Sequence, residues 1–131
     1  MTKLELLKKL PEEILRQLPH SEEERLSRID SVSPEYAEGE VWQIWISGDV
    51  QKLGRKTAYL YLCAGSAIKP HTHTTDSEIY ELVSGVLSAN GETRQYQACR
   101  VGDSHCVDKV PEDTIIKSTK TRAITRGHQI I

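Results

Sequence analysis

Two histidines and a glutamate lie close together near the middle of the chain. His71 and His73 are separated by one residue, and Glu78 follows after four more. In a strand, residues two apart point to the same face, so we expect both imidazoles to be directed at one point. The intervening Thr74-Thr75-Asp76-Ser77 has a composition that is typical of a turn. A turn there would return Glu78 to the histidines on a neighbouring strand.

Two imidazoles and one carboxylate that face the same point suit a divalent metal ion. This set is used for Fe(II), Mn, Ni, Co or Zn and leaves coordination positions open for a substrate. Open positions favour catalysis over a structural ion, which protein ligands normally enclose. A His-x-His pair alone is weak evidence, because such a pair in a polar loop is usually only solvated. The carboxylate at this spacing makes a metal site the preferred interpretation.

The elements that must position these residues are predicted to be strands. From about Gly39 onward, short segments are rich in β-branched and aromatic residues. Turn-forming pairs separate them, and Asn90-Gly91 is a strong hairpin signal because a type I′ turn needs positive φ at both positions. Many short strands with evenly spaced turns predict an all-β sandwich or barrel. The clearest segments are Val41–Ile46, Ala58–Leu62, Ile79–Val83 and Asp113–Ile116.

The first part of the chain has a different periodicity. Apolar residues between Leu4 and Leu18 recur at helical spacing, and prolines interrupt them. Ser21 and the three glutamates after it are typical of the start of a further short helix. We therefore expect a helical segment over residues 1–38 and a β domain over residues 39–131. Packing of these helices on the β domain is favoured over an arm that binds a partner, because amphipathic helices normally bury their apolar side locally.

The composition limits the classes of function. The chain of 131 residues has room for one domain, and 17 basic against 19 acidic residues give a net charge of −2. This near balance argues against a nucleic-acid partner, which normally requires a basic face. We find no run of roughly 20 apolar residues and no N-terminal run of the signal-peptide type. Three cysteines without paired spacing do not predict a disulfide framework. We expect a cytoplasmic protein with no membrane partner.

A longer motif surrounds the candidate ligands. It reads Gly65, five residues, His71-x-His73, four residues, Glu78, six residues and Gly85. This resembles the first conserved motif of the cupin superfamily at every defined position. The resemblance implies a double-stranded antiparallel β-barrel, or jelly roll, that is often a homodimer. It also implies a metal ion at the mouth of the barrel, with His71, His73 and Glu78 as three of its ligands.

The second cupin motif is where this chain departs from the family. The resemblance predicts a fourth ligand, usually a histidine, and two alignments compete for its position. One places His105 there but leaves too few residues between the motifs for two strands and a turn. The other is anchored on Gly102-Asp103, has a more natural separation and makes Asp113 the fourth ligand. We prefer Asp113, which would favour a metal such as Mn, and expect His105 nearby; water in the fourth position is the remaining alternative.

Further candidates share a face with the ligands. Tyr80 has the parity of Glu78, and the resemblance to some cupin lyases implies that a tyrosine at this position serves as a base. Tyr80 and His105 are therefore the candidate catalytic residues, although an aromatic side chain that fills the barrel is the simpler interpretation of Tyr80. Lys69 has the parity of His71 and could contact an anionic substrate, or it is simply a solvated lysine at the end of a strand.

Three functional hypotheses remain, because cupins have many different activities. The first is a metal-dependent enzyme of the dioxygenase, isomerase or lyase type that acts on a small polar or anionic metabolite. Its metal would be a Lewis acid or, if it were iron, would bind O₂. The second is a non-catalytic module that binds or senses a small molecule. The third is an eroded cupin that has a weakened metal site and persists as a dimeric structural unit.

Overall fold

The computed structural model describes residues 1–46 and 55–122 of the chain. In these ranges the helices are α1 (Lys3–Lys9), α2 (Glu12–Leu15) and α3 (Glu22–Leu26). The strands are β1 (Ile29–Ser31), β2 (Ala37–Glu38), β3 (Val41–Trp45), β4 (Arg55–Leu62), β5 (Ala67–Thr72), β6 (Asp76–Ser84), β7 (Ser88–Ala89), β8 (Glu92–Thr93), β9 (Tyr96–Cys99), β10 (Ser104–Val107) and β11 (Thr114–Arg122). None of the described helices has the length and apolar character needed to cross a membrane.

Two antiparallel sheets form the body of the molecule. The larger has the strand order β1-β3-β4-β11-β6-β9, and the smaller has the order β10-β5-β2. Apolar side chains from both sheets form one buried cluster, which includes Val41, Leu60, Leu62, Ile68, Val107 and Ile116. This arrangement confirms the predicted all-β fold of the jelly-roll type.

The six-stranded sheet is buried on both faces. On β4, Leu60 and Leu62 point into the cluster between the sheets, whereas Tyr59 and Tyr61 point to the opposite side. The N-terminal helices cover that outer side with five buried residues, namely Leu6, Leu7, Leu10, Ile14 and Leu18. A strand that is covered on both faces has a continuous apolar pattern instead of an alternating one. The helices therefore complete the burial of the sheet that later supplies Glu78.

The sheets begin earlier in the chain than the sequence indicated. Strand β1 pairs with β3 through Ile29 and Ile44, and β2 pairs with β5 through Ala37 and Ile68. The expected helical segment over residues 1–38 thus contains two strands. They have only three and two residues, which is too short for a period of two to be recognised. The division of the chain at residue 38 otherwise stays a prediction, and residues 123–131 of the expected β domain lie outside the described residues.

Two glycines of the predicted turns are required by geometry. Asn90 and Gly91 have φ angles of 53° and 83° and join β7 to β8, as expected for a type I′ hairpin. Gly85, the last glycine of the motif, has a φ of 92°. A Cβ atom at Gly85 would lie 2.7 Å from the Cα atom of Thr114, so no larger residue fits without displacing β11. The end of β6 is therefore held against the start of β11.

Candidate metal centre

Four side chains converge between the two sheets. His71 lies on β5, His73 directly follows that strand, Glu78 lies on β6 and His105 lies on β10. Each side chain offers one nitrogen or oxygen ligand atom, and these atoms all lie within 4.8 Å of one another. The structure thus brings together the three residues that the motif singled out, and it adds His105.

Strand pairing explains this convergence. Strands β5 and β10 are antiparallel neighbours, and His105 stands directly opposite His71, with 4.4 Å between the ring centroids. The carbonyl oxygen of His73 accepts a hydrogen bond of 2.9 Å from the amide of Gly102, which ties the segment after β5 to the turn before β10. The chain then enters β6 in the other sheet, and this strand directs Glu78 at the three imidazoles.

The separations between the ligand atoms fit a metal ion. His73 Nε2 lies 2.9 Å from Glu78 Oε1 and 3.1 Å from His105 Nε2. His105 Nε2 lies 3.3 Å from the same oxygen of Glu78. Two ligand atoms at right angles around one ion, each at about 2.1 Å, would be about 3.0 Å apart. His73, Glu78 and His105 are therefore suited to an ion in both chemistry and spacing, and His71 offers a further nitrogen within 4.8 Å of these atoms.

Neighbouring groups orient the ligand atoms. His71 Nδ1 lies 2.7 Å from the carbonyl oxygen of Lys69, and because a carbonyl only accepts, Nδ1 carries the proton and leaves the lone pair on Nε2. Ser118 donates a hydrogen bond of 2.5 Å to Glu78 Oε2, so that Oε1 is the oxygen that faces the histidines. Such partners of ligand residues are a regular feature of metal sites.

Burial keeps His105 in its neutral form. Glu78 is 3% exposed and His105 is 6% exposed. Burial, followed by the charges of His71, His73 and Lys120, lowers the pKa of His105 to about 3. His105 is therefore a neutral imidazole at neutral pH, which is the form that binds metals.

Asp113 is not the fourth member of this cluster, and the preference for it was wrong. Its carboxylate accepts hydrogen bonds from the Tyr61 hydroxyl at 2.7 Å and from the Ala64 amide at 2.8 Å. Asp113 immediately precedes β11, and this strand reaches Glu78 only at Lys120. At about 3.3 Å per residue, Asp113 is more than 20 Å away along the strand.

The error arose from the expected loop lengths. The alignment on His105 leaves fewer residues between the motifs than two strands of ordinary length and a turn require. The chain fits two strands and a turn into this short stretch because β7 and β8 have only two residues each and are joined at Asn90-Gly91. His105 is therefore the fourth member of the cluster, in agreement with the alternative alignment.

Of the two further candidates, Tyr80 lies beside the cluster and Lys69 does not. The Tyr80 ring is 3% exposed and its centroid lies 5.1 Å from that of His105, so Tyr80 does lie beside the cluster. Burial, together with the charge of Glu78, raises the pKa of Tyr80 well above its ordinary value, and its hydroxyl stays protonated. Lys69 instead points away, because its exposed ammonium donates a hydrogen bond of 2.8 Å to the carbonyl of Pro34.

The cluster forms part of the wall of a cavity of about 610 Å³. Tyr36 also lines this cavity, is 41% exposed, and packs edge-on against the His71 ring at 5.2 Å. Sequence reasoning missed the other polar residues of the cavity wall, because their common face depends on strand register. These are Asp30, Ser31, Ser33, Gln43, Trp45 and Lys120.

Comparison with known proteins shows similarity in structure. No family model matches the chain, and no curated protein sequence matches it. Among solved structures, a protein described as a predicted oxalate decarboxylase from Thermotoga maritima is 21% identical, with a TM-score of 0.60 over 72% of this chain and 91% of that chain. An acetylacetone dioxygenase from Acinetobacter johnsonii is 17% identical, with a TM-score of 0.60 over 87% of this chain and 80% of that chain. An RmlC-like cupin from Shewanella frigidimarina is 12% identical, with a TM-score of 0.56 over 74% and 86%.

These similarities define the class of fold. The chain has the cupin fold, as the motif from Gly65 to Gly85 predicted. The group of three histidines and one glutamate, which could hold a metal ion, lies between its two sheets. At these levels of identity the neighbours share the fold, and the reaction must be argued from the site.

Proposed function

We propose that this protein is a metal-dependent enzyme that acts on a small polar or anionic metabolite. His71, His73, Glu78 and His105 would hold one divalent ion. The observation that carries the proposal is the convergence of their ligand atoms within 4.8 Å at the wall of a cavity. A cavity of about 610 Å³ lies within the range of roughly 300–1,000 Å³ that is usual for small-molecule sites.

The metal ion and the residues around it would have different roles in the reaction. An ion in this position would supply Lewis-acid chemistry and, if it were iron, reactivity with O₂. Glu78 and His105 are buried, whereas His71 and His73 are partly exposed towards the cavity, so a metabolite would approach from that side. Tyr80, which also lines the cavity, would hold a proton there, because its hydroxyl is not ionised at neutral pH.

The structural neighbours favour the dioxygenase and lyase types within this proposal. One neighbour is named as an acetylacetone dioxygenase and another as a predicted oxalate decarboxylase. Each of these names gives a small organic compound as the substrate. We therefore expect a substrate of similar size, and oxygen-dependent cleavage is the first reaction to test.

Metal content is the decisive measurement. Purified protein reconstituted with Fe(II), Mn, Ni, Co or Zn should retain close to one ion per chain by elemental analysis. His73→Ala and His105→Ala should each lose most of this metal, because each removes one of four ligands. His20→Ala is the matched control, since His20 is exposed and lies outside the cluster. Retention of less than about a tenth of an ion per chain by the unsubstituted protein would contradict the proposal.

Turnover separates the enzyme from a binding module. Iron-loaded protein should consume O₂ when a small diketone such as acetylacetone or a related oxo acid is added, and His73→Ala should not. A ligand that copurifies with the metal-loaded protein and is never converted would instead support the non-catalytic binding module.

A further inference from the structure

Two lysines lie side by side on neighbouring strands, on the same face of the sheet as Glu78. Lys120 on β11 is paired in register with Lys56 on β4 and, on its other side, with Glu78 on β6. Directly opposed residues of neighbouring strands share a face, so all three side chains leave the sheet on the side of the cavity. Lys120 lines the cavity, and the Lys56 ammonium lies 5.8 Å from the centroid of Trp45, which also lines it.

Packing explains this pair of like charges only in part, through the cation–π contact of Lys56 with Trp45. Like charges directly opposite one another in a ladder destabilise a sheet. Glu78 does not neutralise them, because its two carboxylate oxygens face the histidines and Ser118. Across residues 1–46 and 55–122, the ion pairs include neither Lys56 nor Lys120. The other carboxylate of the cavity, Asp30, accepts a hydrogen bond of 3.2 Å from the Trp45 indole.

We propose that Lys56 and Lys120 bind the carboxylate of the metabolite while its other end faces the metal centre. The inference rests on the proposed function, since it takes the cluster as the place where the reacting end binds. It narrows the ligand to a short oxo or hydroxy acid. Neighbouring strands are about 4.8 Å apart, so Lys120 is one strand spacing from Glu78 and Lys56 is two, which only a short chain of bonds between the carboxylate and the other oxygen would match.

Two probes with the same skeleton test this assignment. Acetoacetate and acetylacetone differ in that one carries a carboxylate where the other carries an acetyl group. Each is titrated by calorimetry into protein loaded with Zn²⁺, which has no redox chemistry and therefore does not support oxygen-dependent cleavage of the probes. Lys120→Met and Lys56→Met should each weaken acetoacetate binding about tenfold, because each removes a charge-assisted hydrogen bond. Acetylacetone binding should change by less than about twofold.

A third substitution controls for the loss of charge. Lys117 lies on β11, three residues before Lys120 and therefore on the outer face, where it is paired with Tyr59 and Glu81. Lys117→Met should leave both titrations unchanged. Thermal melts of all three variants check the fold, and Lys120→Met should be at least as stable as the parent because it removes the repulsion with Lys56.

The experiment distinguishes a failure of the lysine assignment from a failure of the proposed metal site. Equal acetoacetate affinity in the parent, Lys56→Met and Lys120→Met, or no saturable binding to the parent below about 10 mM, overturns the lysine assignment. Zinc content is measured on the same samples, and a parent that binds no zinc contradicts the proposed function instead. In that event the titrations are read on the metal-free protein, where the lysines should still favour acetoacetate over acetylacetone.

Discussion

Two residues of the cluster, His71 and Glu78, each have a partner outside it that fixes their orientation. The bond from Ser118 to Glu78 Oε2 is the clearest case, because it leaves Oε1 as the oxygen directed at His73 and His105. Ser118 is itself 4% exposed and stands opposite Tyr80 on β6. A buried carboxylate without such a partner would be costly, since an unpaired charge in the interior loses its hydration.

Removal of the Ser118 hydroxyl should therefore weaken metal binding without abolishing it. Loss of a residue that orients a ligand typically lowers metal affinity by about 10- to 100-fold. We expect Ser118→Ala to show a decrease of this size in a zinc competition against a chromophoric chelator. Ser118→Thr, which keeps the hydroxyl, is the control. Parent-like zinc affinity in Ser118→Ala would show that Glu78 is oriented without this bond.

At the scale of elements, Asp113 ties two strands together instead of binding a metal. Its carboxylate links Tyr61 on β4 with Ala64 just beyond that strand, at the point where β11 begins. The hydrogen bond from Tyr61, followed by that from the Ala64 amide, lowers the pKa of Asp113 below its ordinary value. The ionised form is thus the one that the fold stabilises.

The stabilisation by Asp113 should disappear in acid. A carboxyl group with a lowered pKa in the folded state adds stability above its unfolded pKa of about 3.9, and this contribution is lost as the pH falls through the folded value. Asp113→Asn should lower the urea midpoint at pH 7, and the difference from the parent should shrink towards pH 3. Glu112→Gln, at the exposed neighbouring position, is the control. A pH-independent difference would contradict this account.

Local patterns predicted some elements well and others poorly, for physical reasons. The strand that carries His71 and the turn before Glu78 were predicted because the side-chain period and the turn residues are local signals. Strands β1 and β2 were missed because they are short and owe their existence to pairing with β3 and β5. The pairing of Lys56 with Lys120 on neighbouring strands could not be predicted, since the register between strands distant in sequence is set by the whole sheet.

At the scale of the whole molecule, the association of chains stays a prediction. The resemblance to cupins implies a homodimer. Light scattering coupled to size-exclusion chromatography should give twice the mass of one chain, and this mass should hold on dilution. The mass of a single chain at every concentration would contradict the expectation. His73→Ala, measured alongside, would show whether association depends on the metal centre.

The origin of the four cluster residues has a mechanical consequence. His71 and His105 belong to the smaller sheet, and Glu78 belongs to the larger one. The cluster thus connects the two sheets at one end of the barrel. The two halves cannot part at this end without pulling the imidazoles away from the carboxylate.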